Sequence, residues 1–140
     1  MNHFPASLRA AFAVAVAAFL VAMAPVDGVL SKSEGMDVVN TSSLTTDVDG
    51  YEGPTPVRIF IKGGKIVKVE ALPNDETPEY FARVERFLLK KWKDMPVKKA
   101  ATEKVDGVTG ATFSSDAIIT NVQRGAEYYN KNARGTGRKR

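Results

Sequence analysis

One stretch of the chain combines residue types that can do chemistry with a spacing that lets them reach a ligand: Asp106-Gly107-Val108-Thr109-Gly110-Ala111-Thr112-Phe113-Ser114-Ser115. Two glycines, an alanine and several hydroxyl side chains make a loop whose backbone can approach a bound group closely. A helix is expected to follow, starting near Ser114 or Ser115. The loop then sits at a helix N-terminus, where unpaired amides and roughly half a positive charge attract phosphate or carboxylate. A plainer reading makes Ser115 an N-cap and the rest a turn, with Asp106 capping that turn. Thr109 and Ser114 either bond an anion or satisfy the loop backbone. No Gly-Lys-Ser or Gly-Lys-Thr follows and no Gly-x-Gly-x-x-Gly is present, so the loop is neither of the common nucleotide-binding loops.

Composition removes several competing chemistries. There is no cysteine, which excludes disulfides, thiolate metal sites and thiol nucleophiles. The only histidine is His3, inside what reads as a targeting segment, so histidine acid–base catalysis and His-rich metal ligation have no residue to use. A hydrolase built on Ser114 or Ser115 would lack a base for the same reason. The formal charge of +4 is not a nucleic-acid signal, because five basic residues crowd into the last ten positions (Lys131, Arg134, Arg138, Lys139 and Arg140) and residues 31 to 130 are close to neutral.

The elements that must position the loop can be read around it. Residues 1 to 26 resemble an export signal: Met1 to Arg9 carries one positive charge, and Ala10 to Ala24 is an apolar run ended by Pro25. A run of ~15 residues suits a signal-peptide core better than a span of roughly 20. Ala22-Met23-Ala24 has the small-x-small cleavage pattern, but Pro25 is a poor neighbour for the scissile bond, so an N-terminal membrane anchor is the alternative. Either outcome places the domain outside the cytoplasm, periplasmic or on the outer face of the cell membrane.

Residues 27 to 47 read as a linker, 48 to 130 as the domain, and 131 to 140 as a basic tail. Within the domain, residues 55 to 72 predict a β-hairpin around Gly63-Gly64. One extra residue near Gly64 aligns Val57, Ile59 and Ile61 with Ala71, Val69 and Val67 and sets Arg58 opposite Glu70. Thr77-Pro78 starts a helix expected to reach about Lys93, with Phe81, Val84, Leu88 and Trp92 on one face. The second helix is expected to run through Tyr129, with Ile118, Val122, Gly125 and Tyr129 on one side. The sum is an α+β domain, a small antiparallel sheet packed with two main helices.

The loop also carries a resemblance. Asp106-Gly107-Val108-Thr109-Gly110-Ala111-Thr112 resembles the flavinylation motif of the FMN-binding domain family, an Asp followed three residues later by Ser/Thr-Gly-Ala-Thr. That family includes flavin domains of the sodium-pumping NADH:quinone oxidoreductase and of the Rnf electron-transport complex. Gly50-Tyr51-Glu52-Gly53 is similar to its opening strand, and Glu76-Thr77-Pro78-Glu79-Tyr80 to its loop near the flavin, although this chain has Glu79 where many members carry glycine. The resemblance covers about residues 48 to 130. It implies FMN as cofactor, linked by its phosphate to the hydroxyl of Thr112 by a flavin transferase that takes FMN from FAD. Asp106, Thr109, Gly110, Ala111 and Ser114 would surround the attachment point, and Asp106 would serve transferase recognition or orient the loop. Glu76, Thr77, Leu72 and Tyr80 would lie near the ring, although Leu72, Thr77 and Tyr80 suit core or capping roles equally. The implied role is electron transfer, with membrane electron-transfer proteins as donor or acceptor and no stand-alone enzyme activity. The alternative is a non-covalent phosphate-, anion- or partner-binding module without redox activity.

Overall fold

The protein, described over residues 28–133 in a computed structural model, is a small α+β domain. Its sheet has four antiparallel strands in the order β1-β2-β3-β4, namely Leu30–Ser33, Met36–Asn40, Val57–Lys62 and Lys65–Ala71. Helix α1 (Pro78–Phe87), the one-turn α2 (Val97–Ala100) and the long α3 (Thr112–Asn132) complete it. The export segment 1–26 and tail residues 134–140 lie outside the described residues. Among the described residues no helix is long and apolar enough to cross a membrane.

Residues 27 to 47 do not form a linker. They contain β1 and β2, which pair through Leu30↔Val39 and Ser33↔Met36 about a tight turn at Glu34-Gly35, both with positive φ (52° and 80°). Two causes hide this hairpin in the sequence. Its strands are short and β1 is mostly polar, and its turn opens on glutamate rather than the Asn, Asp or Gly that usually accepts that conformation. Partnership supplies what propensity does not, because Val39 lies opposite Ile59 in the middle of the sheet and is fully buried.

The β3–β4 hairpin has the expected outer register, Val57↔Ala71, Arg58↔Glu70 and Ile59↔Val69. The bulge is elsewhere. Lys62 pairs with Lys65, so Gly63-Gly64 is a plain two-residue turn with φ of 62° and 79°, and the register shifts between Phe60 and Ile61. Ile61 therefore faces Ile66, not Val67, and Val67 is the extra residue. Moving the irregularity into the strand lets Ile66 and Val69, three apart, both turn into the core, at 0% and 6% exposure.

The expected face Phe81, Val84, Leu88 and Trp92 is buried throughout, but α1 stops at Phe87 and a 3₁₀ turn carries Leu89–Trp92. The chain must leave the helix early because Asp94 to Val97 bonds back to the hairpin: Asp94 N to Ile66 O (2.8 Å), Ile66 N to Met95 O (2.9 Å) and Val97 N to Gly64 O (2.9 Å). Helix α3 lies across the sheet with Ile118, Val122 and Ala126 in the same core as Val39, Val57 and Ile59. In the middle of this helix the fully buried Asn121 accepts hydrogen bonds from Thr41 Oγ1 (2.5 Å) and Thr45 Oγ1 (2.7 Å) and donates to Ala117 O (2.9 Å). That network ties α3 to the turn leaving β2, and so fixes where its N-terminus stands.

Candidate functional site

Helix α3 starts at Thr112, two to three residues earlier than its sequence predicts. Ala111 is the N-cap, with φ −139° and no side-chain cap, and the bond from Ser115 N to Ala111 O (2.9 Å) closes the first turn. The amides of Thr112, Phe113 and Ser114 thus have no partner inside the helix. Ser115 is not the cap: it is fully buried, and its Oγ accepts the Val108 amide at 2.9 Å. This bond folds the loop against the helix so closely that a Cβ on Gly107 would stand 2.9 Å from Ser115 Cβ. Gly110 turns the chain into the helix at φ 88°, a conformation L side chains rarely adopt. The result leaves the Thr112 side chain exposed at the start of the helix.

Glu76 joins this helix end to a second loop. Its side chain is buried, yet every hydrogen bond it needs is present. Oε1 accepts the Tyr51 amide (3.0 Å) and the Ser114 hydroxyl, and Oε2 accepts the Glu52 amide (2.5 Å). The Gly50–Gly53 turn, closed by Gly50 N to Gly53 O at 2.7 Å, is thereby held beside the α3 N-terminus. Its Tyr51 ring comes within 6.2 Å of the Phe113 ring, centroid to centroid, tilted by 35°.

Between these parts lies a cleft of about 420 Å³. Seven of the expected residues line it: Glu76, Thr77, Tyr80, Gly110, Ala111, Thr112 and Ser114. The hydroxyl of Ser114 is committed to Glu76, which leaves its amide as the group facing an anion. Three expected residues are not in the lining. Leu72 is half-buried, with its amide on Pro56 O (2.9 Å). Asp106 and Thr109 are exposed, and both act through their carbonyls: Lys91 Nζ donates to Asp106 O (3.0 Å) and Arg83 Nη2 to Thr109 O (2.9 Å).

Tyr51 and Phe113 also line the cleft and are not singled out by the sequence, while Arg83 lies outside the lining, against Thr109 and Gly110. Phe113 and Tyr51 are each 66% exposed and Tyr80 is 54% exposed, so among the described residues the rim of the cleft offers large aromatic surfaces that are mostly uncovered. An aromatic in the first turn of a helix that begins on a glycine loop is the clue the sequence does hold for Phe113. For Tyr51 it is the flanking glycines.

A family model described as FMN-binding domain matches residues 50–127, more than half of the chain. No curated protein matches it by sequence. The residues of the cleft fit that cofactor. Three open amides and an exposed hydroxyl stand at one end for a phosphate, uncovered aromatic rings stand at the rim for a flat apolar ring, and the volume lies within the roughly 300–1,000 Å³ of small-molecule sites. The chain belongs to the FMN-binding domain family, and FMN is its cofactor.

Proposed function

We propose that the protein is an electron-transfer domain working outside the cytoplasm, with FMN linked through its phosphate to Thr112. The observation that carries this reading is the position of Thr112, the first residue of α3, exposed and in the lining of the cleft. A phosphodiester there has the amides of Phe113 and Ser114 and the positive helix end to offset its charge. Among the described residues lining the cleft, none is placed to activate the Thr112 hydroxyl. Histidine is absent from the described residues, and the cleft carboxylate, Glu76, is occupied by three donors. A separate flavin transferase is therefore required. Thr112 Oγ1 bonds to the flavin-side phosphorus of FAD, the pyrophosphate bond breaks, AMP leaves, and the hydroxyl proton passes to the transferase.

Bound FMN supplies one- and two-electron chemistry that no side chain here provides. The chain's own residues bind and orient it: the helix end holds the phosphate, and Tyr51, Phe113 and Tyr80 present apolar surface to the ring. Membrane flavoproteins or quinone-linked complexes are the proposed donor and acceptor. The proposed location rests on the signal-like segment 1–26, cleaved or retained as an anchor.

Intact-mass measurement on protein co-expressed with a flavin transferase tests the reading. The expected result is a gain of one FMN less water on a peptide containing Thr112, absent from Thr112→Ala. No adduct, with the transferase active on a control protein, would overturn the covalent assignment. Reversible FMN binding retained by Thr112→Ala would favour a non-covalent module instead.

A further inference from the structure

We infer that the Arg83 guanidinium is a ligand of the cofactor's phosphate, an assignment that rests on the attachment at Thr112 proposed above. Arg83 reaches from α1 across to the attachment loop. Its Nη2 donates to Thr109 O at 2.9 Å, and its Nη1 lies 3.5 Å from the point where a Cβ on Gly110 would stand. Gly110 lines the cleft two residues before Thr112. The guanidinium is thus packed on the strip of backbone that leads into the attachment point.

Three features make this a phosphate ligand as well as a loop latch. The fork carries five N–H groups, of which one is bonded to protein, and no carboxylate pairs with Arg83 among the described residues. The cleft already contains a buried carboxylate, Glu76, bonded to Ser114 within the first turn of the same helix. A phosphodiester on Thr112 would be a second anionic group at this helix end, and a guanidinium would add a full positive charge to the roughly half unit that the helix supplies. Lys91, the other cation on the loop, holds Asp106 O at its far end, six residues from Thr112 in sequence. The planar fork of arginine can hold a carbonyl with one arm and a phosphate oxygen with the other, which a lysine ammonium does with less fixed geometry.

The test compares melting temperatures of loaded and unloaded protein for wild type, Arg83→Gln and Arg83→Lys, the loaded forms made with a flavin transferase. Glutamine removes the charge and, being shorter, also gives up the bond to Thr109 O, so the comparison of loaded with unloaded protein separates the two effects. The expected result is that the rise on loading is about 4 °C smaller in Arg83→Gln than in wild type at low salt, with Arg83→Lys between them, and that this difference shrinks in high salt. Equal losses in loaded and unloaded Arg83→Gln would show a structural latch and overturn the assignment, as would no loss in either. If wild type itself takes no adduct, the covalent reading falls separately. Arg83 is then decided with free FMN and riboflavin: about tenfold weaker FMN binding by Arg83→Gln with riboflavin unchanged upholds it. An equal effect on both ligands, or binding of neither to wild type, overturns it.

Discussion

The hydroxyl of Ser114 donates to a carboxylate oxygen of Glu76, joining two residues 38 positions apart at the centre of the cleft. Through the other bonds of Glu76 the contact reaches the amides of Tyr51 and Glu52, so one buried side chain sets the distance between the Tyr51 turn and the start of α3.

Glu76→Ala leaves those three donors without their acceptor and is expected to cost about 2–4 kcal/mol, measured by urea unfolding. Glu76→Gln keeps shape but offers an NH₂ where one amide must be accepted, and is expected to cost about 1–3 kcal/mol. A loss below ~0.5 kcal/mol for the alanine variant would show that the clamp does not hold the site together.

Gly110→Ala is expected to destabilise by about 1–2 kcal/mol, because φ of 88° must be kept or the loop must rearrange. The same variant should take up flavin more slowly in a transferase time course, since its fold places Thr112 differently. Unchanged stability together with an unchanged uptake rate would contradict this account of the loop.

The buried bonds of Asn121 link α3 to Thr41 and Thr45. Replacing it by alanine removes the acceptor of two buried hydroxyls and opens space in the core, at an expected cost of about 2–4 kcal/mol. Thr45→Val alone, which removes one of the two hydroxyl donors to Asn121, should cost less. Denaturant unfolding of the two variants gives the comparison, and the reverse order would show that the network is not centred on Asn121.

Arg124 forms a forked pair with Asp47 at 2.6 and 3.1 Å on the surface. The Arg124 hydrogen bond holds the Asp47 carboxyl below its usual range, and Asp47 in turn raises the guanidinium. A carboxyl whose folded value lies below its unfolded one takes up a proton on unfolding in the window between them. The pair's contribution is therefore present above the ordinary carboxylate range, near pH 4, and is lost as pH falls through the depressed value. Arg124→Gln should raise the Asp47 value in an NMR titration and flatten the acid limb of the stability curve slightly, since the pair is exposed to solvent. An unmoved Asp47 titration would refute this.

Much of the architecture depends on neighbours in sequence and can be read there. The Gly63-Gly64 turn, the face carrying Phe81, Val84, Leu88 and Trp92, and the glycine loop before α3 each rest on backbone freedom or a periodicity of side chains within a few residues. So does the motif ending at Thr112, whose seven consecutive residues are enough to point to the cofactor family. Tertiary structure decided the rest. β2 is a strand because β3 offers it an edge, and β1 because β2 then offers one in turn; Val67 is the bulge because Ile66 and Val69 must both enter the core; and α1 ends at Phe87 because Asp94 to Val97 bonds to the hairpin. The cleft follows the same division. Thr112 was legible, whereas the meeting of Tyr51 with Phe113 and of Arg83 with Gly110 depends on contacts across 62 and 27 residues of chain. No local pattern encodes contacts of that range, because they are decided by which surfaces the common core brings together.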